Sequence, residues 1–332
     1  MRGVHMTVAT KKSVLKGFER PTWRSWTQVV TTAAGLAAGW ILTDKAISIS
    51  WPLGVASTFV IAIFSVRAFI IFHDCAHGSF SRSRRLNTVI GFVIGVVVFT
   101  PYAHWSRTHR KHHATTGDLD KRGFGDVWTM TTDEYRAASP GRRLWYRIYH
   151  HPLFLLSIGP VIKFVIVERL VLEPELRSRR VRTGVYLTNV AIVCFAVLMS
   201  LWLGPARYIV IQLMVVAFGG IPAAFLFYIQ HSFPGTYWRR HDEWDYVEAS
   251  LAGSSRLVLP WFLQWVTGNI GFHHIHHLAP RVPNYRLARA QAACPELQPG
   301  CTLTLGTSLG ILRTKLWDEA AGRYVTFAEA GF

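Results

Sequence analysis

The feature that most constrains this chain is a set of apolar blocks too long and too uniform for soluble helices. A soluble core helix carries an apolar stripe, not apolar residues all round, and a bilayer crossing needs about 20 mostly apolar residues. Four blocks qualify: residues 26–43, 51–72, 183–203 and 208–228. Short loops, 44–50 and 204–207, join them in pairs, so they read as two antiparallel hairpins. Two further apolar stretches do not read as crossings. Residues 86–100 would make roughly 22 Å of helix against a hydrocarbon core of roughly 30 Å. They carry Gly91 and Gly95 and end at Pro101, the pattern of a re-entrant segment or one buried against the other helices. Residues 148–167 hold Pro152, Pro160 and Lys163 and read as an interfacial helix pair.

Charge orients this map. The chain has 36 Lys and Arg against 19 Asp and Glu, a net charge of +17. Only Lys45 and Arg207 fall in the hairpin loops, and Arg67 lies inside a span, where snorkelling to the interface is the favoured reading. All the others lie in the N-terminal segment, in 78–182 and in the C-terminal region. If 86–100 does not cross, those regions share one side, which the positive-inside rule makes cytoplasmic. Nucleic-acid binding is the weaker reading of the charge, because the apolar blocks demand lipid. Residues 1–24 are polar and basic with no apolar core, so no signal peptide is expected and the first block inserts uncleaved. Four scattered cysteines (Cys75, Cys194, Cys294, Cys301) give no disulfide framework and no C-x-x-C pair. The expected architecture is all-α. It is one membrane domain spanning 1–332, with a basic cytoplasmic segment at 1–25 and a cytoplasmic cap at 232–332.

Eight histidines fall in three clusters: His73 with His77; His109, His112 and His113; His273, His276 and His277. Residues three or four apart share a helix face, so each cluster can aim imidazoles at one point. Eight nitrogen ligands exceed what one ion takes, which implies two metals. Neutral imidazole suits Fe, Zn, Cu and Ni. The zinc-protease H-E-x-x-H and the E-x-x-H of carboxylate di-iron bundles are both missing. Iron used with dioxygen suits a nitrogen-rich site at a membrane face, and softness alone leaves zinc open. A metal transporter would place such groups deep within the spans, whereas here they sit at span ends.

The order H-x3-H, H-x2-H-H, H-x2-H-H between hydrophobic hairpins resembles the integral-membrane fatty acid desaturases. The flanks at 73–80 (HDCAHGSF), 112–131, 268–285 (GNIGFHHIHHLAPRVPNY) and 303–319 are similar to the acyl-lipid omega-6 (Δ12) and omega-3 branch. The resemblance runs from about Phe72 to the C-terminus, and three residues inside the first box argue against the acyl-CoA Δ9 branch. It implies a di-iron centre that uses dioxygen to place a cis double bond in an acyl chain. One dioxygen, two external electrons and two protons then yield two waters. It also implies a ninth ligand after the last span, His231. The asparagine that Δ9 relatives place four residues earlier is Phe227 here, which puts any water held there in doubt. A membrane di-iron hydroxylase or ketolase acting on an alkane, sterol or carotenoid would share the boxes.

Metal-bound imidazoles usually donate their second N–H to a carboxylate or carbonyl. Asp74, Asp118, Asp120 and Asp126 cluster around the first two boxes as candidates, and His104 is a further one. His274 points off the ligand face and reads as an orienting or structural residue. His150 and His151 read as interfacial, and His5 and His241 carry no signal. Trp23, Trp26 and Trp51 suit interfacial anchoring, while Trp261 and Trp265 are candidates to line an acyl channel. The chain has no four-cysteine iron–sulfur pattern, no GxGxxG after a strand and no His-Pro-Gly-Gly haem site. Its electron donor is therefore expected to be a separate protein, ferredoxin or cytochrome b5. The expected location is the cell inner membrane, with both termini cytoplasmic.

Overall fold

The computed structural model describes residues 13–172 and 178–332; His5 and the first half of the basic N-terminal segment lie outside the described residues. Two 27-residue helices, α1 (Trp23–Ile49) and α2 (Trp51–His77), form the first hairpin. The expected loop at 44–50 is instead helix up to Ile49, and Ser50 alone makes the turn. Its extended backbone ends α1, and its hydroxyl accepts the Leu53 N–H to start α2, with Pro52 in the first turn. Small residues let the two helices touch. A Cβ on Gly35 would lie 2.3 Å from the Phe64 ring, and one on Gly54 would lie 2.2 Å from Ile47. Inside this contact Ser57 donates to the buried Thr43 hydroxyl at 3.0 Å.

The next pair, α3 (Arg84–Val97) and α4 (Tyr102–Thr115), bends by 105° at the intervening residues. Phe99 takes a positive φ of 56°, and the Thr100 N–H closes back on the Gly95 carbonyl at 2.7 Å. Pro101 then starts α4. Tyr102 anchors the bend by donating to the Cys75 carbonyl at 2.7 Å. The first of the two helices has 14 residues, about 21 Å, shorter by itself than a hydrocarbon core of about 30 Å. Helices α5 (Thr132–Ala137) and α6 (Pro140–Tyr149), a π-turn (Phe154–Ile158) and α7 (Gly159–Val165) follow. A 65° bend separates Pro140–Tyr149 from Phe154–Arg169, and most of the stretch expected to be an interfacial pair, 148–167, lies in the second of these.

The second hairpin is α8 (Arg179–Leu203) and α9 (Pro205–His231). Gly204 alone links them, at φ 84°, a conformation open to glycine, and Pro205 follows at the helix start. Helix α8 exposes Leu187, Val190, Val193, Val197, Leu198 and Leu201 along one side, a contiguous apolar face that water would not tolerate. By length and composition α2, α8 and α9 are long and apolar enough to cross a membrane, and the two bent pairs would raise the number to five if each crossed. Helix α1 is as long but more polar, with Thr27, Gln28, Thr31, Thr32, Asp44 and Lys45.

The C-terminal region holds α10 (Tyr246–Ala252), α11 (Trp261–Val266), α12 (His273–Leu278), α13 (Leu287–Ala293) and α14 (Leu305–Ile311). It is not wholly helical: β1 (Ser255–Leu257) pairs in parallel with β2 (Cys301–Leu303), and β3 (Leu316–Asp318) pairs antiparallel with β4 (Arg323–Val325). These three-residue strands are too short to leave an alternating sequence pattern. One core cluster joins Ile70 of α2 to Ile275, Leu278 and Leu287, fastening the region to the end of a span.

Candidate metal centre

Helix geometry sorts the histidines. Positions i and i+4 lie about 40° apart around a helix, whereas i+3 falls about 60° to the other side. In α4, His109 and His113 therefore turn one way and His112 the other; in α12, His273 and His277 turn one way and His276 the other. The structure gathers all nine sequence-predicted histidines into two groups: His73, His77, His109, His113 and His276, and His112, His231, His273 and His277. Within each group the ligand atoms lie within 4.8 Å of one another. The expectation that each box aims at one point is thus corrected: the second and third boxes each divide between the groups. The rings of His113 and His277 stack at 4.1 Å where the groups meet.

The nitrogens converge closely. Nε2 of His109 lies 3.0 Å from that of His73 and 3.2 Å from that of His113, which is 3.0 Å from Nε2 of His276. In the second group, Nε2 of His273 is 2.9 Å from that of His231 and 3.1 Å from that of His277. Nε2 of His77 and of His112 are buried without a hydrogen-bond partner. With metal–nitrogen bonds of ~2.0–2.1 Å, ligands at right angles sit ~3.0 Å apart and tetrahedral ligands ~3.3 Å apart. The observed spacings of 2.9–3.2 Å fall in or beside that range. The donor set therefore fits two cations, and the five nitrogens of the first group exceed a tetrahedron. Burial, then the neighbouring imidazoles, pushes His273, His276 and His277 well below the usual histidine range. They are held neutral, the form that binds metal.

Second partners orient some of these rings. Asp126 meets Nδ1 of His112 at 2.6 Å, and its other oxygen accepts the Gly123 N–H at 3.0 Å. Nδ1 of His231 donates to the Gly253 carbonyl at 3.0 Å, a backbone contact with no sequence signal. Of the four candidate aspartates, only Asp126 hydrogen-bonds a clustered imidazole. Asp74 stays 3.9 Å from His73 Nδ1 and instead accepts from the backbone and side-chain N–H groups of Asn284. Asp118 pairs with His241 at 2.8 Å, and Asp120 accepts from Arg240 and from the His241 N–H. His104 faces the buried Glu168 at 3.5 Å. His274 bonds Gln291, whose amide reaches the carbonyls of Cys294 and Leu297, so it braces the C-terminal core. Trp105 stacks on His109 at 4.3 Å, and Phe227 packs against His112 and His231.

Fold and site together define a helical membrane protein that carries a double histidine cluster at the ends of its spans. The family model for fatty acid desaturases matches residues 49–304. A fatty acid desaturase of Bacillus subtilis (strain 168) is 41% identical over 326 residues, covering 97% of this chain and 92% of its own. An sn-1 oleoyl-lipid 12-desaturase of Synechocystis is 23% identical over 288 residues, with 84% and 78% covered. From the same organism, an sn-1 acyl-lipid omega-3 desaturase (ferredoxin) is 27% identical over 236 residues, with 68% and 62% covered. The chain belongs to the fatty acid desaturase family and is an oxidoreductase.

Proposed function

We propose that this enzyme removes two hydrogens from adjacent methylenes of a membrane lipid's acyl chain, at the Δ12 (omega-6) position, leaving a cis double bond. The observation that carries the reading is the convergence of nine buried imidazoles in groups of five and four. In it, His73, His77, His109, His113 and His276 hold one iron, and His112, His231, His273 and His277 hold the other. When bound, the iron pair supplies the dioxygen chemistry that an unactivated C–H bond demands and no side-chain base provides.

The chain's own residues do the rest. Asp126 and the Gly253 carbonyl fix the tautomers and ring planes of His112 and His231. Trp105 and Phe227 lay apolar rings against the imidazoles and keep water off them. Electrons come from a separate ferredoxin or cytochrome b5; the name of the Synechocystis omega-3 relative supports the first. The proposed setting is the cell inner membrane. Four helices, α1, α2, α8 and α9, cross it as two hairpins within one integrated domain, and both termini and the region after His231 are cytoplasmic.

The test is expression in a host that makes only monounsaturated lipids, followed by fatty acid profiling. A new Δ9,Δ12 diene is the expected result. An unchanged profile, with the protein and a working donor both present, would overturn the proposal, and a product gaining oxygen would identify the hydroxylase alternative.

A further inference from the structure

Two short helices outside the spans carry a cluster of exposed large apolar side chains. Helix α11 exposes Trp261 (79%), Phe262 and Trp265, α14 exposes Leu305 and Leu309 (62%), and Val258 is exposed just ahead of α11. The parallel pairing of β1 with β2 sets them side by side. Leu257 is in register with Leu303, and the Val258 N–H donates to the Leu303 carbonyl at 2.8 Å. Parallel strands send the chain out at the same end, and each helix begins within a few residues of that end.

Contacts with the spans fix the level of this patch. The Trp265 ring meets Phe64 edge-on at 6.0 Å, and the Arg67 guanidinium lies 3.8 Å over the indole while donating to the Trp265 carbonyl. Phe64 and Arg67 belong to α2, nine and six residues before His73, or roughly 14 and 9 Å back along the helix toward the middle of the span. On the other side Leu263 and Leu312 pack against a buried cluster that includes Tyr228 and Ile229 of α9 and Leu155 of the π-turn. The patch is therefore fastened to two of the long apolar helices, α2 and α9. Charge agrees: between residues 249 and 317 the only acid is Glu296, while Arg256 stands two residues before Val258 and Arg313 two residues after α14. Exposed tryptophan bordered by arginine is the composition of the headgroup boundary.

We propose that α11 and α14 form a monotopic insertion into the phospholipid leaflet nearest the histidine groups. This part of the region after His231 is then held within the lipid and not above it. The apolar side chains sit about 5–10 Å into the boundary between headgroups and acyl chains, the usual depth of such helices. The occupant of the patch is lipid. This inference is independent of the metal and of the reaction.

The test uses the full-length protein carrying Cys194→Ser and Cys301→Ser, in vesicles made of lipid alone; Cys75 and Cys294 are buried. A single spin label is attached through Trp261→Cys or Leu309→Cys. The references are Val197→Cys on the exposed face of α8 and Arg323→Cys on the β3–β4 hairpin. Collision rates with dioxygen and with a water-soluble nickel chelate are measured. The expected oxygen-to-nickel ratio at positions 261 and 309 matches that at 197 and is several-fold above that at 323. A ratio equal to that at 323 would overturn the proposal, since it would leave the patch in water, waiting for a protein partner.

Discussion

Asp74 sits between His73 and His77 on α2, yet its carboxylate serves a residue beyond the third box. One oxygen accepts the Asn284 N–H at 3.1 Å and its Nδ2 at 2.8 Å. The Asn284 amide also exchanges two bonds with Gln28 of α1, at 2.9 and 3.0 Å. Asn284→Ala removes one bond to a charged acceptor, worth about 1.5–3 kcal/mol, and two neutral bonds worth about 1 kcal/mol each. The expected loss is about 3.5–5 kcal/mol, a large share of a stability of about 5–15 kcal/mol. Asp74→Ala loses the same shared bond from the other side. The double variant should therefore cost about 1.5–3 kcal/mol less than the two single losses together. Denaturant unfolding of the purified protein in mixed micelles measures the cycle, and bound iron is read alongside. Losses that add to within about 0.5 kcal/mol would show that the two residues are not coupled, and the clamp reasoning fails.

Three other outcomes follow from the same geometry. Asp126→Ala should weaken iron binding about 10–100-fold at the second group, read by metal content under graded chelator, as for loss of a carboxylate behind a ligating histidine. His276→Ala should abolish turnover and lower bound iron while the protein still inserts, whereas His274→Ala should lower the melting temperature and leave iron content unchanged. Gly35→Ala drives a methyl into the Phe64 ring. It should destabilise by about 1–3 kcal/mol, and pairing it with Phe64→Leu should recover part of the lost melting temperature.

The long helices were legible because apolar runs of that length have few other uses, and the boxes because i, i+3 and i+4 spacings are local. The turns were less so. Ser50 and Gly204 each end one helix and begin the next, and composition alone spreads such a turn over several residues. Long-range partners left no trace. Four aspartates near the boxes look alike in sequence, and which of them meets an imidazole depends on how the Gly123–Asp126 loop folds over α4. Arg67 read as a snorkelling residue, yet it is buried beneath Trp265, 198 residues away. The division of each later box between two groups follows from helix geometry, but only once both helices are known to cross one another's path.

That division has a consequence for how the enzyme matures. Two helices are shared between the groups: α4 gives two imidazoles to one and one to the other, and α12 does the reverse. The first ion to arrive would align both helices and so prepare the second berth before it is filled. Loading should then be positively cooperative, because the first event pays the ordering cost for both. Starved of metal, a population should separate into empty and doubly filled molecules with few in between, a distribution that native mass spectrometry can count.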